Sequence, residues 1–600
     1  MTPPRRIIIL GGGIAGLTAA YRLSSLLPSS KITLLETTDR LGGWVRSVPY
    51  RVTSLDELGR ASTKDVVLDS GPRTLRPRGS KGAMSTLRLA NLGLESSIIP
   101  IPKSHPSAKS RFILDPNTYT LTKLPSGISD FFKLQPPLLR GLLKSLLLEP
   151  FASLRRIPNI NSKPHYEHSV MSKQTERGKD ETVDSFISRR FGKPMTLLVS
   201  SMIHGIYATS SSVLSVRSSP FAYAWKTERK YGSIIPYIFL PRHDPSVPTL
   251  DMKEDDYMND LKKQSSDWSL YGLKGGLESL TSKLISQLVQ SKNVDIHLSS
   301  KVTSIEISSL DPSFTSEPSS YPIPSNKKPT TNSDSVSTGN YSHSDPSNLS
   351  NNVKVYTSQN TFIADCIIST LPPSTLSHLL PLSQLGVNPS TTVGVINLLY
   401  PLDPKHVHPE GFGYLIPKST RRQNLEGVLG VIFDSTALPG VDSSEGFTKL
   451  TVMIGGPYWS NFDPSYNPSL ISQTPNSGRS NGRIEDQKEI FKIPKEEELS
   501  ELALKHLHRV FPNLERTKPL LNISHLHKDC IPTYLPGHGD RLRKTHEDIL
   551  SKNWGGRLIL AGNGYGGVGV NDSVWSAECA VKGVMEWRQI TGLEDWAKWE

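Results

Sequence analysis

"IIILGGGIAGLTAAYRLSS", Ile7 to Ser25, decides the fold. The run Ile7 to Leu10 reads as a strand buried on both faces. Gly11, Gly13 and Gly16 then set a G-x-G-x-x-G turn ahead of a helix whose apolar side runs through Ala15, Ala19 and Leu23. Each glycine meets a separate steric demand: a tight turn, close approach of backbone to a pyrophosphate, and close packing of helix on strand. Gly12, Ile14 and Ala15 complete the turn, and the helix start offers unpaired N–H groups and a positive dipole end to phosphate. A second apolar strand, Lys31 to Leu35, ends in Glu36, twenty residues after Gly16. A carboxylate there accepts ribose hydroxyls, and its charge repels a 2′-phosphate. Strand, turn, helix, strand and acid in one unit predict a dinucleotide site.

The continuation "ETTDRLGGWVRS", with Thr37, Arg40, Gly42, Gly43 and Trp44, resembles the extended dinucleotide motif of the flavin amine oxidase superfamily. At the other end, "RLILAGNGYGGVGVNDSVWSAECAVKGV" reads as a strand Leu558 to Leu560, a glycine-rich turn and a helix from about Asn571. Both chain ends are therefore expected to build one cofactor site. Two internal stretches also resemble that superfamily: "YGLKGGLESL", Tyr271 to Leu280, and "FIADCIISTLPPSTL", Phe362 to Leu376. The second reads as a strand that returns to the nucleotide unit and stops at Pro372 and Pro373.

Composition sets outer bounds. With 600 residues, one discontinuous unit interrupted by others fits better than a single domain. Cys366, Cys530 and Cys579 are odd in number and widely spaced, which predicts neither a disulfide framework nor a zinc site. The histidines of "HLHKD", His525 to Asp529, have strand spacing i, i+2 but no third ligand in view, so no metal is expected. There is no run of eighteen apolar residues, and Met1 to Arg6 leaves no room for a signal or transit peptide; any organelle address is expected to be internal.

The net charge of +12 comes without a nucleic-acid motif, so nucleic acid is not expected as a partner. It is concentrated instead around "FFKLQPPLLRGLLKSLLLEPFASLRR", Phe131 to Arg156. There Lys133, Arg140, Lys144, Arg155 and Arg156 interrupt leucines and phenylalanines. The pattern fits a helical pair dipping one face into anionic headgroups, and equally a buried helical subdomain with solvated basic edges. Asp311 to Asn352 and Ser472 to Asp486, rich in Ser, Pro, Asn and Thr, read as disordered insertions. The first lies between two strands, "KVTSIEI" and "VKVYTS", as an enlarged hairpin loop.

The ordered series "LGGWVRS", "DSGPRTLRP", "HPSAKSRF", "DETVDSFISRRFG", "GFGYLIP", "HLHKDCIPTY" and "GVGVND" resembles the oxygen-dependent, FAD-containing protoporphyrinogen oxidase family, in a fungal-type version with insertions. The resemblance implies an α/β and α+β architecture. A discontinuous Rossmann-like FAD-binding unit takes residues 1–95, 267–310, 353–385 and 551–600, with the insertion 311–352 between its second and third parts. A helical membrane-binding and substrate region takes 96–232, with 233–266 as an insertion or loop. A mixed-sheet substrate unit takes 386–550, with the second insertion near 472–486.

The activity implied is six-electron oxidation of protoporphyrinogen IX in haem biosynthesis, three O2 becoming three H2O2. The flavin N5 takes the hydride and no side chain is catalytic. Non-covalent FAD would be held by Gly11, Gly12, Gly13, Ile14, Ala15, Gly16, Glu36, Thr37, Arg40, Gly43, Trp44, Gly71, Pro72, Arg73, Thr74, Val302, Leu526, Val568, Gly569 and Val570. Substrate would meet Arg111, Gly205, Phe412, Leu415 and Met453. Apolar side chains and a pliable Met suit the faces of a tetrapyrrole, and the fork of Arg111 suits a propionate.

The location implied is the intermembrane-space side of the mitochondrial inner membrane, on anionic lipid, with a ferrochelatase and a second copy of the chain as further partners. The chain departs from the family in the final turn, where "GYGGVGVND" lacks the acid and alanine often found there. Two alternatives stand beside this reading. One is another FAD-dependent amine oxidase or carotenoid-desaturase-like enzyme; the other is a non-enzymatic binding protein like the GDP-dissociation inhibitors.

Overall fold

The computed structural model describes residues 4–55, 61–125, 141–154, 180–235, 252–307, 352–419, 423–459, 493–552, 554–586 and 590–597. Nearly all of both serine-rich insertions, and residues 131–140 and 155–156 of Phe131 to Arg156, fall outside them.

The opening strand, Arg6–Leu10, is central to a five-stranded parallel sheet ordered Leu558–Leu560, Cys366–Ser369, Arg6–Leu10, Lys31–Leu35, Val294–His297. Four distant parts of the chain thus meet in one sheet, and the run Cys366–Ser369 lies directly against Ile7 to Leu10. Near-continuous burial of Ile7, Ile8, Ile9 and Leu10 follows from helices packed on its face. The helix Ile14–Leu26 presents Ala15, Ala19 and Ala20, whose small size admits the helix Val570–Glu586 through Val574, Ala577 and Val581. Arg22 Nε donates to Glu578 across that contact at 3.2 Å.

Val302–Ile307 pairs antiparallel with Val353–Thr357, so the strands flanking the first insertion do form a hairpin ladder. A third strand, Thr361–Ala364, completes that small sheet. The apolar run Phe362 to Ser369 therefore splits between two sheets at Asp365, whose carboxylate accepts from the backbone N–H groups of Arg5 and Arg6 at 2.8 and 2.9 Å.

A seven-stranded mixed sheet forms the second layer, ordered Leu521–Pro532, Ser390–Tyr400, Thr448–Gly455, Val428–Ile432, Gly413–Leu415, Phe112–Leu114, Leu121–Lys123. One face is covered by the helix Glu496–Val510 through Leu499, Ala503 and Leu507. Its acids sit in the first turn and its bases in the last, as the helix dipole favours.

Two expected boundaries need correction. Residues 96–125 are not helical for the most part: Ile98–Pro102 pairs with Trp268–Leu273, and Phe112–Leu114 and Leu121–Lys123 extend the mixed sheet. The span 233–266 is not all loop, since Met252–Gln264 is a helix that puts Met258 and Leu261 into the nucleotide-unit core. Among the described side chains of this polar stretch those two apolar ones turn inward, too weak a periodicity to be seen in the sequence.

The helices Leu142–Leu148, Val183–Phe191, Lys193–Tyr207 and Ala222–Tyr231 form a separate helical layer. Its anchor is an acid: Glu149, fully buried, pairs with Arg190 and accepts from Ser233 Oγ at 2.6 Å and Ile234 N at 2.8 Å.

Candidate functional site

The glycine turn opens at the carboxyl ends of the central strands, where an open parallel sheet binds ligands. Gly11 has φ +99°, and Thr370 Oγ1 donates to the carbonyls of Leu10 and Gly11 at 2.8 and 3.1 Å. Gly12 N–H donates to Glu36 Oε2 at 2.7 Å, while Thr38 N and Oγ1 donate to Oε1 at 2.8 and 2.9 Å. The acid is thereby aimed along the turn, and Oε2 keeps a lone pair for a hydroxyl. The helix starting at Ile14 has no side-chain cap. Gly13 faces open space: a Cβ there would meet no protein atom within 4 Å. Open backbone, an uncapped helix start and a fixed carboxylate are the donor set a dinucleotide requires, and the site fits FAD.

The rest of the expected cofactor set divides by what it touches. Gly42 N–H donates to Gly12 O at 2.9 Å, and Gly42 bridges Gly13, which brings Gly43 against the turn. Thr37 is exposed beside Glu36. Arg40 is spent on the carbonyls of Gly43 and Val45, at 2.8 and 3.2 Å, so it shapes the loop. Trp44 stays 46% exposed. Gly71 lies on the Trp44 carbonyl, with Pro72 and Thr74 half-buried behind it. Arg73, though, turns away to a buried ion pair with Asp434 at 2.8 Å. Val302 packs with the core under Leu10 and Leu35, just after Ser299 and Ser300 bond the carbonyls of Thr38 and Glu36. Leu526 points to the helix-covered face of the mixed sheet, so only its backbone faces the other way.

The neighbours of Leu526 are what the sequence reading passed over. His527 faces the cofactor motif, its ring edge-on to Trp44 with centroids 5.2 Å apart and its Nε2 2.6 Å from Ser70 O. His525 stacks behind it at 6.0 Å. Burial pushes both imidazoles down from their usual pKa, so neutral rings suit the site. Strand alternation around Leu526 was the available signal.

At the carboxyl end, Gly567 N–H donates to Tyr534 Oη at 3.1 Å, Tyr534 Oη donates to Asn563 O, and His538 stacks on the Tyr534 ring at 4.3 Å. Val568 packs on the cluster of Tyr207 and Tyr534, while Gly569 is exposed and Val570 half-buried beside it. Asp572, pushed up to about 6 chiefly by burial, accepts from Gly569 N–H at 3.2 Å. Asn571 Nδ2 donates to Arg76 O and Ser80 Oγ, both at 3.0 Å, which ties the two chain ends together.

Of the five expected substrate residues, Leu415 and Met453 fall on one face of the mixed sheet. Register places Ile113, Leu415, Gly430, Met453, Val395 and His525 in a single row across six strands. Opposed residues in a sheet share a face, and the helix Lys193–Tyr207 lies over it, with Gly205 directly on Leu415. Leu415 and Met453 remain half-buried along the row. Arg111 and Phe412 form the other group, with the guanidinium 6.0 Å from the ring centroid. An apolar floor with a cation at one edge can hold a flat acid.

A parallel nucleotide sheet, a turn that fits FAD and a mixed sheet beyond it define a flavoprotein oxidoreductase. The chain belongs to the flavin containing amine oxidoreductases, whose family model matches residues 14–317 and 345–585. It is similar to the protoporphyrinogen oxidase of Schizosaccharomyces pombe, 29% identical over 585 residues and covering 96% of this chain and 98% of that one. It is equally similar to the Homo sapiens protoporphyrinogen oxidase, 29% over 595 residues, covering 97% and 98%. A Nicotiana tabacum relative, 24% identical over 437 residues and covering 72% and 73%, is named protoporphyrinogen oxidase, mitochondrial. In fold it resembles a crystal structure from Exiguobacterium sp. 255-15, with TM-score 0.59, 19% identity and coverage of 97% and 99%. The cofactor is FAD.

Proposed function

We propose that this chain oxidises protoporphyrinogen IX to protoporphyrin IX, with three O2 reduced to three H2O2. The observation that carries the reading is the row of Leu415 and Met453 under Gly205 with Arg111 at its edge, in a chain similar along its length to protoporphyrinogen oxidases. FAD, when bound, accepts a hydride from the macrocycle and returns electrons to oxygen. The chain's own residues bind and orient. Gly205 leaves room for the Leu415 side chain, Leu415 and Met453 exclude water from the face of the ring, and Arg111 holds a propionate beside Phe412. Trp44 and His527 close the cofactor side.

Purified protein should be yellow, develop porphyrin fluorescence when protoporphyrinogen IX is added, and form peroxide and porphyrin in a three-to-one ratio. A coloured protein active on an amine but silent with the porphyrinogen would overturn the substrate assignment. Acid precipitation should release all the flavin, since neither glycine turn places Cys or His for a covalent bond. Colour kept in the pellet would refute that.

The reading includes attachment to a mitochondrial membrane, specifically one leaflet of the inner membrane from the intermembrane space. Among the described residues no helix is long and apolar enough to cross a membrane. Support comes from Leu147 and Leu148, 66% and 48% exposed at the end of Leu142–Leu148, with Leu197 and Ile206 also bare on the neighbouring helix. Leu142 is fully buried, so it belongs to the fold. Changing Leu147 and Leu148 to Ser should reduce flotation with anionic vesicles while leaving detergent activity intact; equal flotation would sink the docking surface.

A further inference from the structure

We propose that Tyr534 is a positioning residue for the flavin, its hydroxyl closing the C-terminal glycine turn into the shape that receives the redox end of the cofactor. The residue closes the stretch "HLHKDCIPTY" and takes no part in the function above. Sheet order fixes where that turn stands. Leu558–Leu560 and Cys366–Ser369 lie on one side of Arg6–Leu10, and Lys31–Leu35 with Glu36 on the other. Thr370 sits between the two turns: a Cβ on Gly11 would lie 2.7 Å from its Oγ1, and one on Gly562 3.6 Å from its carbonyl oxygen. A dinucleotide whose ribose meets Glu36 and whose phosphates cross Gly13 therefore carries its other end toward residues 562–569.

Tyr534 is 1% exposed and holds that turn at two points. Its Oη accepts from Gly567 N–H at 3.1 Å and donates to the Asn563 carbonyl, so one hydroxyl ties together residues four apart. His538, stacked on the Tyr534 ring at 4.3 Å, holds the point between them: its Nε2 lies 3.0 Å from Tyr565 O and its Nδ1 2.6 Å from Asn388 Nδ2. A carbonyl only accepts, so the imidazole proton is on Nε2 and Nδ1 takes the amide. Residues 563, 565 and 567 are thus clamped by one pair of side chains, while a Cβ on Gly566 would meet no protein atom within 4 Å. The clamp is itself fixed. Tyr207, on the helix that carries Gly205, meets the Tyr534 ring edge-on at 6.3 Å, and Ser215 N–H donates to the Tyr534 carbonyl at 2.8 Å. Burial pushes the phenol well above its usual pKa, so the hydroxyl stays a donor.

The test compares wild type, Tyr534→Phe and Glu36→Gln as flavin-loaded proteins, by the visible bands of the bound flavin, its midpoint potential, flavin released on dilution, and thermal unfolding. Tyr534→Phe keeps the ring and its stack and deletes only the oxygen. It should bind flavin about tenfold more weakly, as expected when a buried N–H and carbonyl lose their partner, and should shift the bands and potential of the flavin that stays bound. Glu36→Gln, at the ribose end, should weaken flavin binding without moving the bands. Unchanged bands, potential and affinity in Tyr534→Phe overturn the proposal. So does a fall in thermal stability alone, which would make Tyr534 a packing residue, and so do equal band shifts in both variants. If Tyr534→Phe does not accumulate, hydrogen exchange of wild type over residues 563–569 decides: the Gly567 amide should exchange slowly, and free exchange there overturns the proposal. None of these readouts uses the porphyrinogen, so the outcome is independent of the substrate assignment.

Discussion

Gly16→Ala should purify without flavin and with lowered stability. A methyl on Gly16 would overlap the carbonyl oxygen of Gly11 and press on its carbon at 3.1 Å. Neither can yield: Gly11 is backbone in a conformation only glycine adopts readily, and its carbonyl is held by Thr370. The helix must lift from the strand, at the usual overpacking cost of about 1–3 kcal/mol, and the phosphate-facing N–H groups go with it. Gly13→Ala separates the two effects. Its methyl meets no protein atom within 4 Å, so flavin-free stability should hold while flavin affinity falls, because the methyl enters the space open to a pyrophosphate. Flavin absorbance and thermal unfolding read both. Full flavin content in Gly13→Ala would show that the cofactor takes another path.

Arg73→Met should destabilise the protein by about 3–5 kcal/mol, the cost of stranding a buried charge. The guanidinium is 8% exposed and Asp434 12%, and Asp434 Oδ2 already takes a 2.6 Å bond from Thr451 Oγ1. Asp69 lies close by, its pKa raised first by burial and further by Asp434, and Arg73 is the charge that most relieves it. Losing Arg73 leaves these acids facing each other across the seam between the nucleotide unit and the mixed sheet. Arg73→Met with Asp434→Met should recover much of the loss in thermal unfolding. Flavin loss at unchanged stability would instead make Arg73 a cofactor ligand, the role implied by its position after Gly71 and Pro72.

What was legible in the sequence was what short-range chemistry dictates. Ile7 to Leu10 had no alternative to a buried strand. The glycines before Ile14 had no other steric purpose at that spacing, and Glu36 at the end of Lys31–Leu35 could be aimed from its place in the unit. The terminal strand Leu558–Leu560 and the turn after it were equally local. The helix Met252–Gln264 was missed because only Met258 and Leu261 mark its buried side. The strands Ile98–Pro102 and Phe112–Leu114 were missed because each pairs with a strand some 170 to 300 residues away in sequence.

The site divides along the same line. Sequence by itself determined the nucleotide turn and its acid, because two strands with one turn and one helix between them carry both; the FAD class came from the resemblance of the stretches beyond them. Tertiary structure alone decided what each cation meets. Arg73 and Arg111 are indistinguishable as basic residues in polar stretches. Folding supplies a carboxylate to Arg73 from 361 residues away and lays Arg111 beside the Phe412 ring. It also decided that Leu526 turns inward while His527 faces Trp44, since the face a strand residue takes depends on what covers the sheet. Charge pairing and sheet face are properties of neighbours, and neighbours are set only when distant segments meet.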